Sequence, residues 1–97
     1  MDVLLLGAGG REDALLRAMA ASPVAGQLWV APGNGGMNEI AQVAPIDPED
    51  GAQVALFAKD HDIDLVVIGP EAPLVAGVAD DLRDAGIAVF GPSGAAA

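Results

Sequence analysis

The stretch LLLGAGGREDALL, residues 4–16, decides the fold because it joins an unbroken apolar run to three glycines and then to a charged segment. A short apolar run that ends in glycine is typical of a strand buried on both faces of a parallel sheet. The glycines permit a tight turn, and the residues after them suit a helix. The stretch therefore predicts a strand over Val3–Leu6, a glycine turn and a helix over residues 11–21.

The same alternation continues along the chain. Further strands are expected at three apolar runs and at one weaker edge segment: Leu28–Ala31, Asp64–Ile68, Ile87–Phe90 and, at the edge, Gln42–Ala44. Strands that alternate with helices, joined by right-handed crossovers, form a parallel α/β sheet. The sequence therefore predicts an α/β fold, a Rossmann-like open parallel sheet of four to five strands flanked by helices, in the order 3-2-1-4-5.

Two more helices are expected, over residues 47–62 and 74–85. Asp47 is a good N-cap for the first, and Pro48 suits its first helical position. Acidic residues would then fill the first turn of that helix. Gly86 suits the left-handed position that ends the second helix.

Composition excludes several classes of protein. The 97 residues suit a single domain, and a net charge of -10 with four basic residues disfavours nucleic-acid binding. The chain has no cysteine, so disulfides and zinc sites built on cysteine are excluded, and its single histidine excludes a histidine-rich metal site. No apolar run reaches transmembrane length and no signal peptide is evident, so we expect a cytosolic protein with no membrane partner.

The glycine-rich turn favours an anion. A helix that begins near Arg11 presents free N–H groups and a partial positive charge, and the Arg11 guanidinium could add a forked contact to a phosphate. The dinucleotide fingerprint fails, since Glu12 stands where it requires glycine and no acid ends the second strand in WVAPGN. A tight turn without any ligand remains the alternative.

Two further loops belong to the same edge of the sheet. Glu71 follows a central strand in IGPEAP, where its carboxylate could accept hydrogen bonds from ribose hydroxyls or a ligand amine. Asn34 in APGN could reach the same place. The alternatives are that Glu71 caps the following helix and that Asn34 adopts a left-handed turn conformation.

Other polar and aromatic residues receive structural interpretations. Asp13 and Arg17 are spaced to form a surface ion pair. His61 is interpreted as a solvated charge partner at the end of a helix, and Trp29 as a strand residue that packs against a helix. No pairing of a nucleophile with a base emerges, so we assign no catalytic residue.

The chain nevertheless resembles a known family. GGRE, APGN, the long segment DLVVIGPEAPLVAGVADDLRDAGIAVFGP and the ending GAAA together resemble glycinamide ribonucleotide synthetase, the phosphoribosylamine–glycine ligase of purine biosynthesis. The likeness spans nearly all 97 residues and concerns the N-terminal domain of that family. Asp13 departs from the histidine that usually follows GGRE, and we expect its carboxylate to turn outward toward Arg17.

The resemblance implies a function for the site. Residues 1–97 would be the N-terminal, substrate-side domain of an ATP-grasp ligase, and the ATP-grasp and C-terminal domains, with ATP and Mg²⁺, would lie outside this chain. The chain would bind phosphoribosylamine or its product glycinamide ribonucleotide through six residues: Gly9, Gly10, Arg11, Glu12, Asn34 and Glu71. A stand-alone module that binds a sugar phosphate or mononucleotide without catalysis is the alternative.

Overall fold

The computed structural model describes residues 1–7, 10–23, 26–32, 39–47, 49–68 and 76–90. For residues 10–12, 32, 76 and 77 only the backbone is described. Strands in these ranges are β1 Val3–Gly7, β2 Leu28–Pro32, β3 Gln42–Val43, β4 Leu65–Ile68 and β5 Val89–Phe90. The helices are α1 Gly10–Ala20, α2 Gly51–Asp60 and α3 Ala76–Asp84. Among these helices none has the length and apolar character needed to cross a bilayer.

The strands form one parallel sheet in the order β3-β2-β1-β4-β5, which confirms the predicted order. β1 lies at the centre, and all five of its residues are buried. This burial explains why its sequence, VLLLG, does not alternate between apolar and polar residues.

Helices cover the two faces of the sheet unequally. On one face, which we call the α1 face, Leu16 of α1 packs with Val3, Leu5 and Val30. On the opposite face, the α2–α3 face, Phe57 and Leu82 pack with residues such as Leu4 and Val66. Of the helices in the described ranges, one therefore covers the first face and two cover the second.

One row of apolar side chains crosses the α1 face at a single level of the strands. Its members, in spatial order from β3 to β5, are Val43, Val30, Leu5, Val67 and Phe90. The central three are 0–3% exposed, whereas Val43 is 45% exposed and Phe90 is 66% exposed. The centre of the row is therefore buried under α1, and both ends of the row are exposed.

The start of α2 differs from the prediction. The N-cap is Asp50, whose carboxylate accepts hydrogen bonds from the N–H groups of Ala52 and Gln53 at 3.0 and 3.3 Å. Asp47 instead accepts from the N–H of Glu49 at 2.9 Å, in a turn that precedes the helix. Assignment of Asp47 as the cap was therefore wrong, and no acidic residue lies in the first turn of α2.

The end of α3 matches the prediction. Gly86 has φ of 80°, its N–H donates to the carbonyl of Arg83 at 3.0 Å, and the N–H of Ile87 donates to Leu82 at 2.9 Å. These two bonds define a Schellman motif, in which a left-handed residue satisfies the last carbonyls of a helix.

The amino ends of three strands are tied together by Asp2. Its N–H donates to the carboxylate of Asp64 at 2.7 Å, and its own carboxylate accepts from the N–H of Gln27 at 2.8 Å. The carbonyl of Asp2 also accepts from the N–H of Asp64 at 2.8 Å. These bonds fix the starts of β1, β2 and β4 relative to one another.

Candidate functional site

The candidate site lies where β1 and β4 end beside each other. Leu6 of β1 is paired with Ile68 of β4, and β1 then ends at Gly7, whose φ of 149° lies in a region that glycine favours. From this point the chain after β1 leads to α1 on one face, and the chain after β4 leads to α3 on the other. The carboxyl ends of these strands therefore form a topological switch point, the usual ligand position in an open α/β sheet.

The first turn of α1 supplies the hydrogen-bond donors of this edge. The helix begins at Gly10, three positions after the last residue of β1, and runs for 11 residues back across the sheet. The first N–H groups of a helix have no partner within it and carry a partial positive charge. An anion at the switch point would therefore meet backbone donors without the need for many basic side chains.

The structure describes some of the predicted site residues and not others. The helix was predicted to begin near Arg11 and begins one residue earlier, so Gly10, Arg11 and Glu12 occupy the first turn of α1. The side chains of Arg11 and Glu12 lie outside the described residues. Gly9, Asn34 and Glu71 also lie outside the described residues. The helix start is thus in place, and the side-chain contacts remain predictions.

Asp13 lies one turn further along α1 and pairs with Arg17. The Nε atom of Arg17 donates to Oδ1 of Asp13 at 3.1 Å, and the two side chains are 52% and 29% exposed. The prediction of this i,i+4 pair is confirmed. Because the contact draws the Asp13 carboxylate toward the C-terminal half of α1, that charge is directed away from the helix N-terminus.

A cluster of three rings lies at the opposite, amino edge of the sheet. Trp29 of β2 meets Phe57 of α2 edge-on, with centroids 5.1 Å apart, which confirms the prediction that it packs against a helix. The exposed His61 ring stacks on Phe57 at 4.1 Å and also contacts Trp29 at 4.9 Å. His61 is exposed at the C-cap of α2, as predicted, and its contact with the two rings is an addition to that prediction. Sequence reasoning missed the contact with Trp29 because β2 is distant in sequence, whereas the i,i+4 spacing of Phe57 and His61 was a signal available in the sequence.

A groove of about 420 Å³ lies between the end of α1 and the start of β3, lined by residues that include Ala20, Gln27, Glu39 and Gln42. It is at the amino edge and so is separate from the switch point. Among the described residues, no three His, Cys, Asp or Glu side chains are gathered closely enough to hold a metal ion.

Sequence comparison identifies the family of the chain. A family model described as "Phosphoribosylglycinamide synthetase, N domain" matches residues 1–97. Phosphoribosylamine–glycine ligases of Agrobacterium fabrum and Streptomyces coelicolor are 61% and 54% identical over 97 residues. Each match covers 100% of this chain and 23% of the relative, so the chain spans about a quarter of the length of these relatives.

Structural comparison supports the fold and supports no particular function. Saccharopine dehydrogenase from Saccharomyces cerevisiae is similar with a TM-score of 0.68 and 17% identity, over 91% of this chain and 20% of that chain. RSP, a Rex-family repressor, is similar with a TM-score of 0.60 and 18% identity, over 89% of this chain and 41% of that chain. At these identities the likeness establishes the Rossmann-like architecture and carries no ligand with it.

Proposed function

The chain belongs to the family of phosphoribosylglycinamide synthetase N domains, and we propose that it is the N-terminal, substrate-side part of an ATP-dependent phosphoribosylamine–glycine ligase. Such a ligase joins glycine to 5-phosphoribosylamine in de novo purine biosynthesis and releases glycinamide ribonucleotide, ADP and phosphate. Within it, this chain helps to bind the phosphoribosylamine. A relative named for this activity, from Agrobacterium fabrum, is 61% identical to the chain over its full length.

The observation that carries this proposal is the start of α1 at the switch point. α1 begins at Gly10, directly beyond the carboxyl end of the central strand, and the carboxyl end of β4 lies next to it. A sugar phosphate offers the anion that such a helix start prefers. The chain carries a net charge of -10, so binding through backbone N–H groups suits it better than a cluster of basic side chains.

The side chains predicted to complete the site have distinct roles. The guanidinium of Arg11 would form charge-assisted hydrogen bonds to the phosphate. The carboxylate of Glu71, which follows β4 in sequence, would accept hydrogen bonds from the ribose hydroxyls or the amine. Asn34, which follows β2, would contribute amide donors and acceptors from the neighbouring strand.

We propose that ATP and Mg²⁺ are bound by the part of the ligase that follows this chain. Their chemistry is the activation of the glycine carboxylate as an acyl phosphate, which the sugar amine then attacks. The described residues gather no set of ligands for Mg²⁺, so no metal-dependent step is assigned to them. This chain then contributes by holding the sugar phosphate in position.

Hydrogen exchange on the full-length ligase tests the proposal. We expect glycinamide ribonucleotide to slow exchange in peptides that contain residues 8–14 and 69–75, since both segments follow the adjacent ends of β1 and β4. Peptides from the amino edge, such as residues 26–29 and 61–64, serve as internal controls and should not respond. Protection confined to the amino edge, or confined to regions outside this chain, would contradict the proposed role.

A further inference from the structure

The α1 face of β5 is open, although the opposite face of the same strand is covered. Phe90 is 66% exposed on the α1 face, whereas its neighbour Val89 is half-buried against the core that α2 and α3 form. Phe90 is level with Val67, which is 3% exposed. The exposed ring therefore continues a buried apolar row rather than standing alone on the surface.

No element among the described residues is placed to cover this ring. α1 packs against Val3, Leu5 and Val30, in the central and β2 part of its face. The crossover from β4 to β5 puts α3 on the other face. A further right-handed crossover in the same direction would again place its helix on the α2–α3 face, so continued winding of the sheet would leave Phe90 bare.

We propose that the α1 face of β5, centred on Phe90, is an intramolecular docking surface for the part of the ligase that follows residue 97. The chain matches an N domain and spans 23% of its relatives, so about three quarters of the ligase follows it. Phe90 is seven residues from Ala97 in the sequence, which puts that remainder close to the surface. This inference rests on family membership and is independent of which substrate the site binds.

The size of the surface favours a tethered occupant over a second copy of the chain. It consists of one exposed ring beside Val67 and the half-buried Leu65, which is far less than the roughly 800 Å² that each partner buries in a stable complex. A segment joined by a short linker has an effective concentration on the order of millimolar, so a small apolar patch is enough to hold it. Docking within one molecule is therefore the better fit.

Thiol labelling of the full-length ligase tests this inference, with each site located by peptide mass spectrometry. Phe90→Cys carries the test, and Leu56→Cys is the matched control, because Leu56 is 62% exposed on a helix of the opposite face. The chain itself has no cysteine, so the new thiol is the single one in residues 1–97. We expect native Phe90→Cys to react with a maleimide at least 100-fold more slowly than Leu56→Cys, and the two to react equally in urea.

Two outcomes would overturn the inference. One is equal labelling of the two variants in the native ligase. The other is protection at position 90 that disappears on dilution, which would identify a second copy as the occupant.

As a second measurement, Phe90→Ser should lower the Tm of the full-length ligase more than Leu56→Ser does, and equal shifts would count against docking. Loss of substrate binding with intact protection would refute the proposed function and leave this inference standing.

Discussion

Asp62 and Gly86 occupy the same position in two copies of one helix-ending motif. At the end of α2, the N–H of Ile63 donates to the carbonyl of Ala58 at 2.8 Å and the N–H of Asp62 donates to Lys59 at 3.4 Å. The corresponding donors after α3 are Ile87 and Gly86. Both residues have positive φ, 52° for Asp62 and 80° for Gly86, but only Gly86 lacks the Cβ atom that disfavours this conformation.

Asp62→Gly should therefore stabilise the chain by about 0.5–1 kcal/mol, since glycine relieves the left-handed strain at some cost in unfolded-state entropy. Urea denaturation followed by circular dichroism would measure the change. Asp62→Ala is the control, because it removes the same charge but keeps the Cβ atom. Equal stabilisation by both variants would indicate a charge effect instead.

Gly51→Ala should destabilise the chain by about 1–3 kcal/mol, the usual cost of overpacking. Gly51 is buried in the first turn of α2, and a Cβ atom there would lie 2.9 Å from the Cβ atom of Asp81 on α3. Intrinsic helix propensity predicts the opposite sign, because alanine is the better helix former. Thermal unfolding thus separates the two effects, and a higher Tm would show that α2 and α3 are less closely packed.

Asp50→Ala should cost about 1 kcal/mol through loss of the N-cap of α2. Asp47→Ala should cost less, because Asp47 accepts one hydrogen bond in an exposed turn before the helix. The free energy of unfolding of both variants can be compared in one denaturation series. A larger loss of stability for Asp47→Ala would indicate that Asp47 is the N-cap and that the helix begins at residue 48.

Arg11→Ala should weaken binding of glycinamide ribonucleotide to the full-length ligase by about 1.5–3 kcal/mol, the scale of a charged hydrogen bond. This corresponds to about a 10- to 150-fold rise in Kd by calorimetry. Arg17→Ala makes the same charge change on the same helix, but Arg17 is paired with Asp13 one turn from the helix start. Similar losses of affinity in the two variants would indicate that Arg11 acts through long-range electrostatics and not through direct contact with the phosphate.

Patterns within a few residues predicted most of this fold. Apolar runs that end in glycine located β1 and β4, and the order of the sheet followed from right-handed crossovers. β5 was predicted over Ile87–Phe90 but comprises Val89–Phe90, because the N–H of Ile87 is taken by the helix-ending motif. Local pattern could not reveal that competition for one donor.

Features that depend on contacts between residues distant in sequence were not predicted. Asp47 and Asp50 are both good caps, and the structure uses Asp50, so that the helix begins at Gly51, packed closely against Asp81 of α3. The spacing of Asp50 and Gln53 resembles a capping box and was the signal available in sequence. For the site, the pattern predicted the start of α1, whereas the contacts of Arg11 and Glu71 depend on a ligand and stay predictions.

The sheet ends in strands of two residues on each side, β3 and β5. Strands so short expose few free backbone donors and acceptors, so a neighbouring molecule finds almost no ladder to extend. Such short edges lower the tendency of an acidic, alanine-rich chain with a fully apolar central strand to pair edge to edge into fibres.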